Sequence, residues 1–273
     1  MNLPSLSTIT LSFEQGVAEV RLNRPDKSNA MNDAMWLEIR QAFAWVDATP
    51  EVHVAILSGA GRNFCAGIDL ALLDDIQRRT AHPDGARSRE ALRRLILDLQ
   101  DCLSSVERCR KPVLAAIHGA CIGGALDLVT CCDMRYATAD ALFSVREIDV
   151  GMVADVGTLQ RLPRLIPEGI ARELAFTGRN FLADEAERYS LINRVFASPE
   201  ALTAAVGELA QAIATNSPLS TRGIKEVMNF SRDHSVGDGL NFVATWNASM
   251  LLSGDLNEAI TAQRERRPPR FAD

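Results

Sequence analysis

The sequence predicts a mixed α/β (α+β) fold in which a sheet-forming core precedes a helical C-terminal third. Three observations lead there. Ile9, Leu11 and Phe13 alternate with polar residues, the chain turns at Gln15-Gly16, and Ala18, Val20 and Leu22 alternate again, which is a β-hairpin signal. The apolar runs 52–57 and 113–117 are too short for helices and end in glycine-containing turns, so they read as buried strands. Beyond Val156 the apolar residues recur mainly at helical spacing.

Each element follows in order. Arg24-Pro25-Asp26 ends the hairpin. Trp36, Ile39, Phe43 and Val46 share one helical face, and Asn32 or Asp33 can cap that helix. The strand at 52–57 closes at Ser58-Gly59-Ala60-Gly61, and Cys65-Ala66-Gly67-Ile68-Asp69 leads towards a helix. Residues 78–90 are charged and contain His82-Pro83-Asp84-Gly85, so they read as an exposed excursion. The next helix carries Leu92, Leu95, Ile96, Leu99, Leu103 and Val106 on one face. After the strand at 113–117, Gly123-Gly124 opens a short apolar helix through Cys132, and 134–137 and 142–145 read as short strands. Leu202, Val206, Leu209 and Ile213 mark one C-terminal helix, and Phe242, Trp246 and Met250 another. No internal repeat or low-complexity tract occurs. A core at 1–200 with its site, followed by a helical region at 201–273, is the expected organisation.

Composition narrows the function. A chain of 273 residues, 47% hydrophobic, can bury a full core. Its net charge of −6 argues against a nucleic-acid surface as the main purpose. The six cysteines include no C-x-x-C and sit mostly among apolar residues, so they read as reduced core residues, not metal ligands or disulfides. The N-terminus has no secretory or Arg-rich transit pattern, and the ending Phe271-Ala272-Asp273 is not a peroxisomal address. A cytoplasmic protein is expected. Residues 113–132 are long enough to span a membrane, but a central Asp127 costs about 2.5–3.5 kcal/mol there, so no span is expected.

Chemistry concentrates between Lys111 and Arg161. Asp127, Glu147 and Asp155 lie there among Leu, Val, Ala and Gly. A carboxylate that loses hydration must be paired, protonated or used, which makes the three candidate proton-transfer groups. Each also has a structural reading. Asp127 could be a cap-like or ion-paired acid, Glu147 could pair with Arg146 or Arg135, and Asp155 could be the N-cap of the helix after Gly157. Asp133, Asp140 and Asp149 read as solvated turn or cap acids. The turns at 65–69 and 119–125 could present backbone N–H groups to a developing negative charge, as two converging donors do in an oxyanion hole. G-x-G-x-x-G, P-loop and G-x-S-x-G patterns are absent, and His53, His82, His118 and His234 have no metal spacing.

Longer segments carry a resemblance. Leu22-Asn23-Arg24-Pro25-Asp26-Lys27-Ser28-Asn29-Ala30-Met31-Asn32, F-C-A-G-I-D-L at 64–70 and the stretch from His118-Gly119 to Gly124 resemble motifs of the crotonase (enoyl-CoA hydratase/isomerase) superfamily. G-G-A-L-D-L-V-T, V-R-E-I-D-V-G-M-V-A-D-V-G-T-L-Q-R-L-P and the stretch at 231–251 look most like its 3,5-2,4-dienoyl-CoA isomerases. The resemblance covers about Ile9 to Ala259, and the tail from Arg264 to Asp273 does not share it.

The resemblance implies a spiral of β-β-α turns with a helical C-terminal region that trimerises, sometimes as a dimer of trimers. It implies an acyl-CoA thioester substrate held around Ala66, Gly67, Ile68, Asp69, Leu70, Gly124 and Ala125. Its carbonyl would sit between the N–H groups of Ile68 and Gly124. Ala125 departs from the glycine common in this group. Arg24 and Lys27 are candidates for the CoA phosphates. No metal and no cofactor beyond coenzyme A are implied. Asp127 and Glu147 match the two glutamates of hydratases, and Asp155 falls where hydratases usually have glycine. The implied reaction takes a proton from carbon 2 of a 3,5-dienoyl-CoA and returns one to carbon 6. Glu147 and Asp155 would exchange those protons, and Asp127 would tune or orient them. An enoyl-CoA hydratase is the nearest alternative, and a non-catalytic acyl-CoA-binding or RNA-binding relative the next.

Overall fold

The computed structural model describes residues 3–272. Met1, Asn2 and Asp273, on which the targeting expectations partly fall, lie outside the described residues. The hairpin forms as expected, with β1 (Ile9–Glu14) and β2 (Val17–Leu22) antiparallel. Next comes α1 (Asp33–Ala48), whose N-cap is Asn32: its side chain accepts from the Met35 N–H. β3 runs Val54–Gly59, two residues later than the pattern suggests, because the N–H groups of His53 and Val54 still close the turn on the Gly16 carbonyl.

α2 (Leu70–Arg79) and α3 (Gly85–Arg108) follow. The expected excursion at 78–90 therefore shrinks to a short link, 80–84. Asp84 caps α3 by accepting from Ala86, which turns the charged stretch after it into a first helical turn. β4 (Val113–Ile117) is buried throughout, β5 is Ala120–Ile122, and α4 is Gly124–Thr130. β6 (Met134–Thr138) and β7 (Leu142–Ser144) precede α5 (Thr158–Leu165) and α6 (Glu168–Thr177). β8 (Phe181–Leu182), α7 (Ala183–Arg188) and β9 (Arg194–Phe196) interrupt the expected helical run. The chain continues as α8 (Pro199–Ala214), α9 (Pro218–Ser231), α10 (Val236–Met250) and α11 (Gly254–Glu265).

The main sheet has the order β1-β2-β3-β4-β6-β9, parallel after the first pair, and β5-β7-β8 form a smaller sheet. At successive turns the chain lays one strand in each sheet, β4 then β5, and β6 then β7. This is the β-β-α spiral. Alternate residues divide between the two faces of the main sheet. Ala55, Leu57, Val113, Ala115 and Ile117 join the core with α1, whereas Val54, Leu114 and Ala116 pack under Leu202, Val206 and Ala210 of α8. The expected boundary at 200/201 thus cuts a helix that belongs to the core.

One acid departs from its expected role. Asp133 is not a solvated turn acid: its Oδ2 accepts from the Val113 N–H at 2.7 Å and from Nζ of Lys225, on α9, at 2.7 Å. Lys225 is buried and also donates to the Lys111 carbonyl, so it ties the C-terminal helices to the sheet. Lys225→Met removes this donor and is expected to cost about 1–3 kcal/mol, read as a lower urea midpoint at unchanged m-value. An unchanged midpoint refutes the role.

Candidate active site

The two sheets bring two loops into backbone contact. Cys65 pairs with Cys121 of β5 as a parallel bridge, through Cys65 N–H to the Ala120 carbonyl and Ile122 N–H to the Cys65 carbonyl. On the other side, Met31 donates to the Gly67 carbonyl and accepts from Asp69 N–H. The alternation of a strand then turns the intervening Ile68 N–H the opposite way. Gly67 has φ +92°, and a Cβ there would lie 2.6 Å from the Ile122 carbonyl oxygen, so only glycine permits this approach. Gly124 stands at the first turn of α4, and a Cβ on it would lie 3.8 Å from the Ile68 nitrogen. Ile68 and Gly124 thus lie side by side, and both line the same cavity.

That cavity measures about 940 Å³, enough for an acyl chain and part of the group that carries it. Leu73 and Ile76 of α2 and Leu92, Leu95, Ile96 and Leu99 of α3 make its apolar wall. The fully buried residues of α3 are Cys102, Leu103 and Val106, with Leu99 partly buried against the core, so the stripe read as one core face splits between core and cavity. Trp36 lines the cavity beside Gly124, and its indole N–H donates to the Met31 carbonyl at 3.2 Å. His82, placed by the sequence in an exposed loop, also borders it.

The three acids come together, in different roles. Glu147 and Asp155 both line the cavity, whereas Asp127, on α4, is fully buried behind it. Asp127 Oδ1 accepts from the Thr158 N–H at 2.5 Å and so satisfies the first turn of α5. Its structural reading as a cap-like acid is therefore right, but across elements. The corresponding reading of Asp155 fails: Gly157 occupies the N-cap, and Asp155 is held instead by its backbone carbonyl, which accepts from Gln100 Nε2 at 2.6 Å. Neither arginine neutralises Glu147. Arg146 pairs with Asp149 and bonds Asn180, and Arg135 donates to the carbonyls of Leu191 and Cys132.

Asp127 and Glu147 instead face each other within hydrogen-bonding reach, with Asp127 Oδ2 and Glu147 Oε2 both buried and lacking any other donor. Two carboxyls so placed must share a proton. Burial first, and then the Glu147 charge, push Asp127 up to about 7. Burial also raises Glu147, with the Asp155 charge adding to it, and burial raises Asp155. Gly123 makes room for this pair: its φ is +56°, and a Cβ there would come within 3.2 Å of Glu147 Oε1.

The shift of Asp127 has a sign that can be tested. Its folded value of about 7 lies above the ordinary 3.8, so its contribution to stability is complete below about 3.8 and is lost as pH rises through 7. Relative to Asp127→Asn, the unmodified protein is expected to lose stability from about pH 4 to about pH 7, by up to about 1.4 kcal/mol per pH unit. Urea unfolding of both proteins across that range measures it, and a difference independent of pH refutes the shared proton.

The remaining predicted residues lie around the site. Ala66 is exposed, Gly67 is buried in the loop contact, and Ala125 is fully buried in the core, so its methyl packs inward. Asp69 caps α2 through the Ala71 N–H and pairs with Arg24 at 3.0 Å; Leu70 is exposed. Arg24 is therefore engaged by Asp69 and the Ala30 carbonyl, and Lys27 is exposed at the end of a 3-10 turn, Pro25–Lys27. Sequence reasoning missed Thr158, Gln100 and the cavity role of Trp36. For Thr158 the signal existed in the Gly157-Thr158 helix start. Gln100 had none, since its partner is a backbone carbonyl 55 positions away.

Among the described residues no group of three or more His, Cys, Asp or Glu side chains is arranged to hold a metal ion, and no helix is long and apolar enough to cross a membrane. Residues 12–273 match the family model described as enoyl-CoA hydratase/isomerase. The chain is 46% identical, over 98% of its length and 97% of the relative's, to a peroxisomal Delta(3,5)-Delta(2,4)-dienoyl-CoA isomerase of Arabidopsis thaliana. It is 44% identical to the mitochondrial protein of that name from Homo sapiens, over 94% of this chain and 78% of that one. Among solved structures it is similar to an enoyl-CoA hydratase from Bacillus anthracis, with a TM-score of 0.87 and 29% identity over 97% of this chain and 99% of that one.

Proposed function

The chain belongs to the enoyl-CoA hydratase/isomerase family, and from that premise we propose that it is an isomerase converting 3,5-dienoyl-CoA into 2,4-dienoyl-CoA, as in the oxidation of unsaturated fatty acids. The observation that carries this is that Asp155 and Glu147 both line one acyl-sized cavity. The thioester oxygen sits between the N–H groups of Ile68 and Gly124. One of the two carboxyls takes the proton from carbon 2, breaking that C–H bond, and the charge spreads through the diene onto the thioester oxygen. The N–H pair stabilises that oxygen where the charge develops. The other carboxyl gives a proton to carbon 6, and the double bonds end in conjugation with the carbonyl. Asp127 keeps a proton near neutral pH and donates it to Glu147, fixing the orientation and charge of that base.

A hydratase places two carboxylates around one water. Here Asp127, the partner such a reaction would use with Glu147, is fully buried and turned to Thr158 N–H, which disfavours that reading. A net charge of −6 disfavours RNA binding. The protein works without metal or redox cofactor, coenzyme A being part of the substrate, with Lys27 a candidate for its phosphates. It forms trimers or hexamers through α9–α11, where Ile224, Met228, Leu240 and Leu252 are 62%, 68%, 64% and 91% exposed. Its six free, buried cysteines suit a reducing, cytoplasm-like compartment. The deciding experiment mixes purified protein with a 3,5-dienoyl-CoA. Rising ultraviolet absorbance from the conjugated product is the expected result, and unchanged absorbance at high enzyme concentration refutes the activity.

A further inference from the structure

Asp155 borders two cavities. On one side is the acyl cavity, and on the other a polar cavity of about 400 Å³ whose lining includes Gln100, Ser104, Glu107, Gln160 and Arg161. Neither Glu147 nor Asp127 reaches this second cavity. Its walls are held in place by ion pairs: Arg161 lies 2.7 Å from Glu107 and Arg232 2.6 Å from it, while Arg161 also donates to Ser104 Oγ. At about 30 Å³ per molecule, the space accommodates several waters against polar walls. Gln100 pins the backbone of Asp155 in the partition, through the 2.6 Å bond to its carbonyl.

We propose that this second cavity is a proton passage that lets Asp155 exchange with solvent while acyl-CoA still fills the first cavity. Glu147 lines the acyl cavity and not the second one. Its other neighbour is the fully buried Asp127, and Asp127 Oδ2 and Glu147 Oε2 are each buried without another partner, so a proton taken by Glu147 stays within that pair until the acyl cavity empties. After each turnover one carboxyl has gained a proton and the other has lost one. Asp155 restores its own state through the second cavity, to or from water, and Glu147 restores its state to or from water admitted when product leaves. No oxidant, reductant or further reactant is needed.

This rests on the isomerase reading and predicts an asymmetry that reading alone does not. The reaction is run in deuterium oxide from each side, and the unconverted thioester is recovered early. From 3,5-dienoyl-CoA, deuterium at carbon 2 reports a proton that exchanged before returning; from 2,4-dienoyl-CoA, deuterium at carbon 6 reports the same there. Label per turnover is expected to differ between the two carbons by about tenfold. Gln160→Phe, an exposed position on α5 that fills the second cavity, is expected to collapse the difference without changing KM. Ser104→Val, narrowing the cavity from α3, is expected to reduce it in the same direction. Equal label at both carbons, or a difference that survives both substitutions, overturns the passage while leaving the isomerase intact. A protein that neither isomerises nor exchanges overturns both.

Discussion

Asp155→Asn is expected to lower kcat on a 3,5-dienoyl-CoA by about 10²–10⁴-fold, with KM nearly unchanged. The amide keeps the size of the side chain, and the backbone bond to Gln100 that fixes the residue does not involve the carboxyl. What disappears is the capacity to hold or release a proton at one end of the diene. Ground-state contacts along Leu73, Ile76 and the α3 stripe remain, so binding is preserved. Any hydration of a 2-enoyl-CoA, if present, is comparatively spared. A second readout separates loss of the acid from a disturbed fold. The Asp155 charge raises Glu147, so removing it lowers the Glu147 pKa, and the acidic limb of the residual pH–rate profile moves to lower pH. Full activity in the Asn variant, or loss of activity through KM alone, refutes the assignment.

Gly67→Ala is expected to lower kcat by about 10²–10³-fold although the residue touches no reacting atom. A Cβ at φ +92° is strained in itself, and its 2.6 Å approach to the Ile122 carbonyl oxygen is against backbone, which cannot rotate away. The loop at 65–69 must therefore back off from 122–124, which moves apart Ile68 and Gly124, the two residues proposed to hold the thioester oxygen. The strain is expected to cost about 1–3 kcal/mol of stability as well. Steady-state kinetics and urea unfolding of the same preparation measure both. Unchanged kcat with a lowered midpoint would leave Gly67 as a structural residue only.

The hairpin, α1 with its Asn32 cap, β4 and α4 were legible because each is set by a local apolar pattern bounded by a local turn or, for α1, a side-chain cap. β5, β8 and β9 were not: with three, two and three residues they have no pattern of their own and exist through pairing with β7 and β6. The three acids stood out because carboxylates among apolar neighbours are costly anywhere. Their division of labour was not legible. Asp155 precedes a helix and looks like its cap, yet the carboxylate that serves the Thr158 N–H comes from Asp127, 31 positions earlier. In the same way Leu92 to Leu99 look identical whether a helix face meets a core or a ligand. Only the tertiary arrangement, in which α3 meets the core through its last turns alone, separates the two.

The origin of the cavity's two halves matters for how such a protein can change. Proton-handling groups and amide donors come from the spiral, where Gly67, Gly123 and Asp127 are hemmed in by neighbouring backbone and side chains. Most of the greasy wall comes from α2 and α3, joined by a link of a few residues and, over α2 and the first half of α3, with only Leu72 sunk in the core. Selectivity for fatty-acid length can therefore drift by trading bulk at Leu73, Ile76, Leu92 or Leu95, with the reactive end left untouched. Only the side formed by Val150, Met152, Val153 and Val156 shares its backbone with the acids, so that side is the one a change of appetite must leave alone.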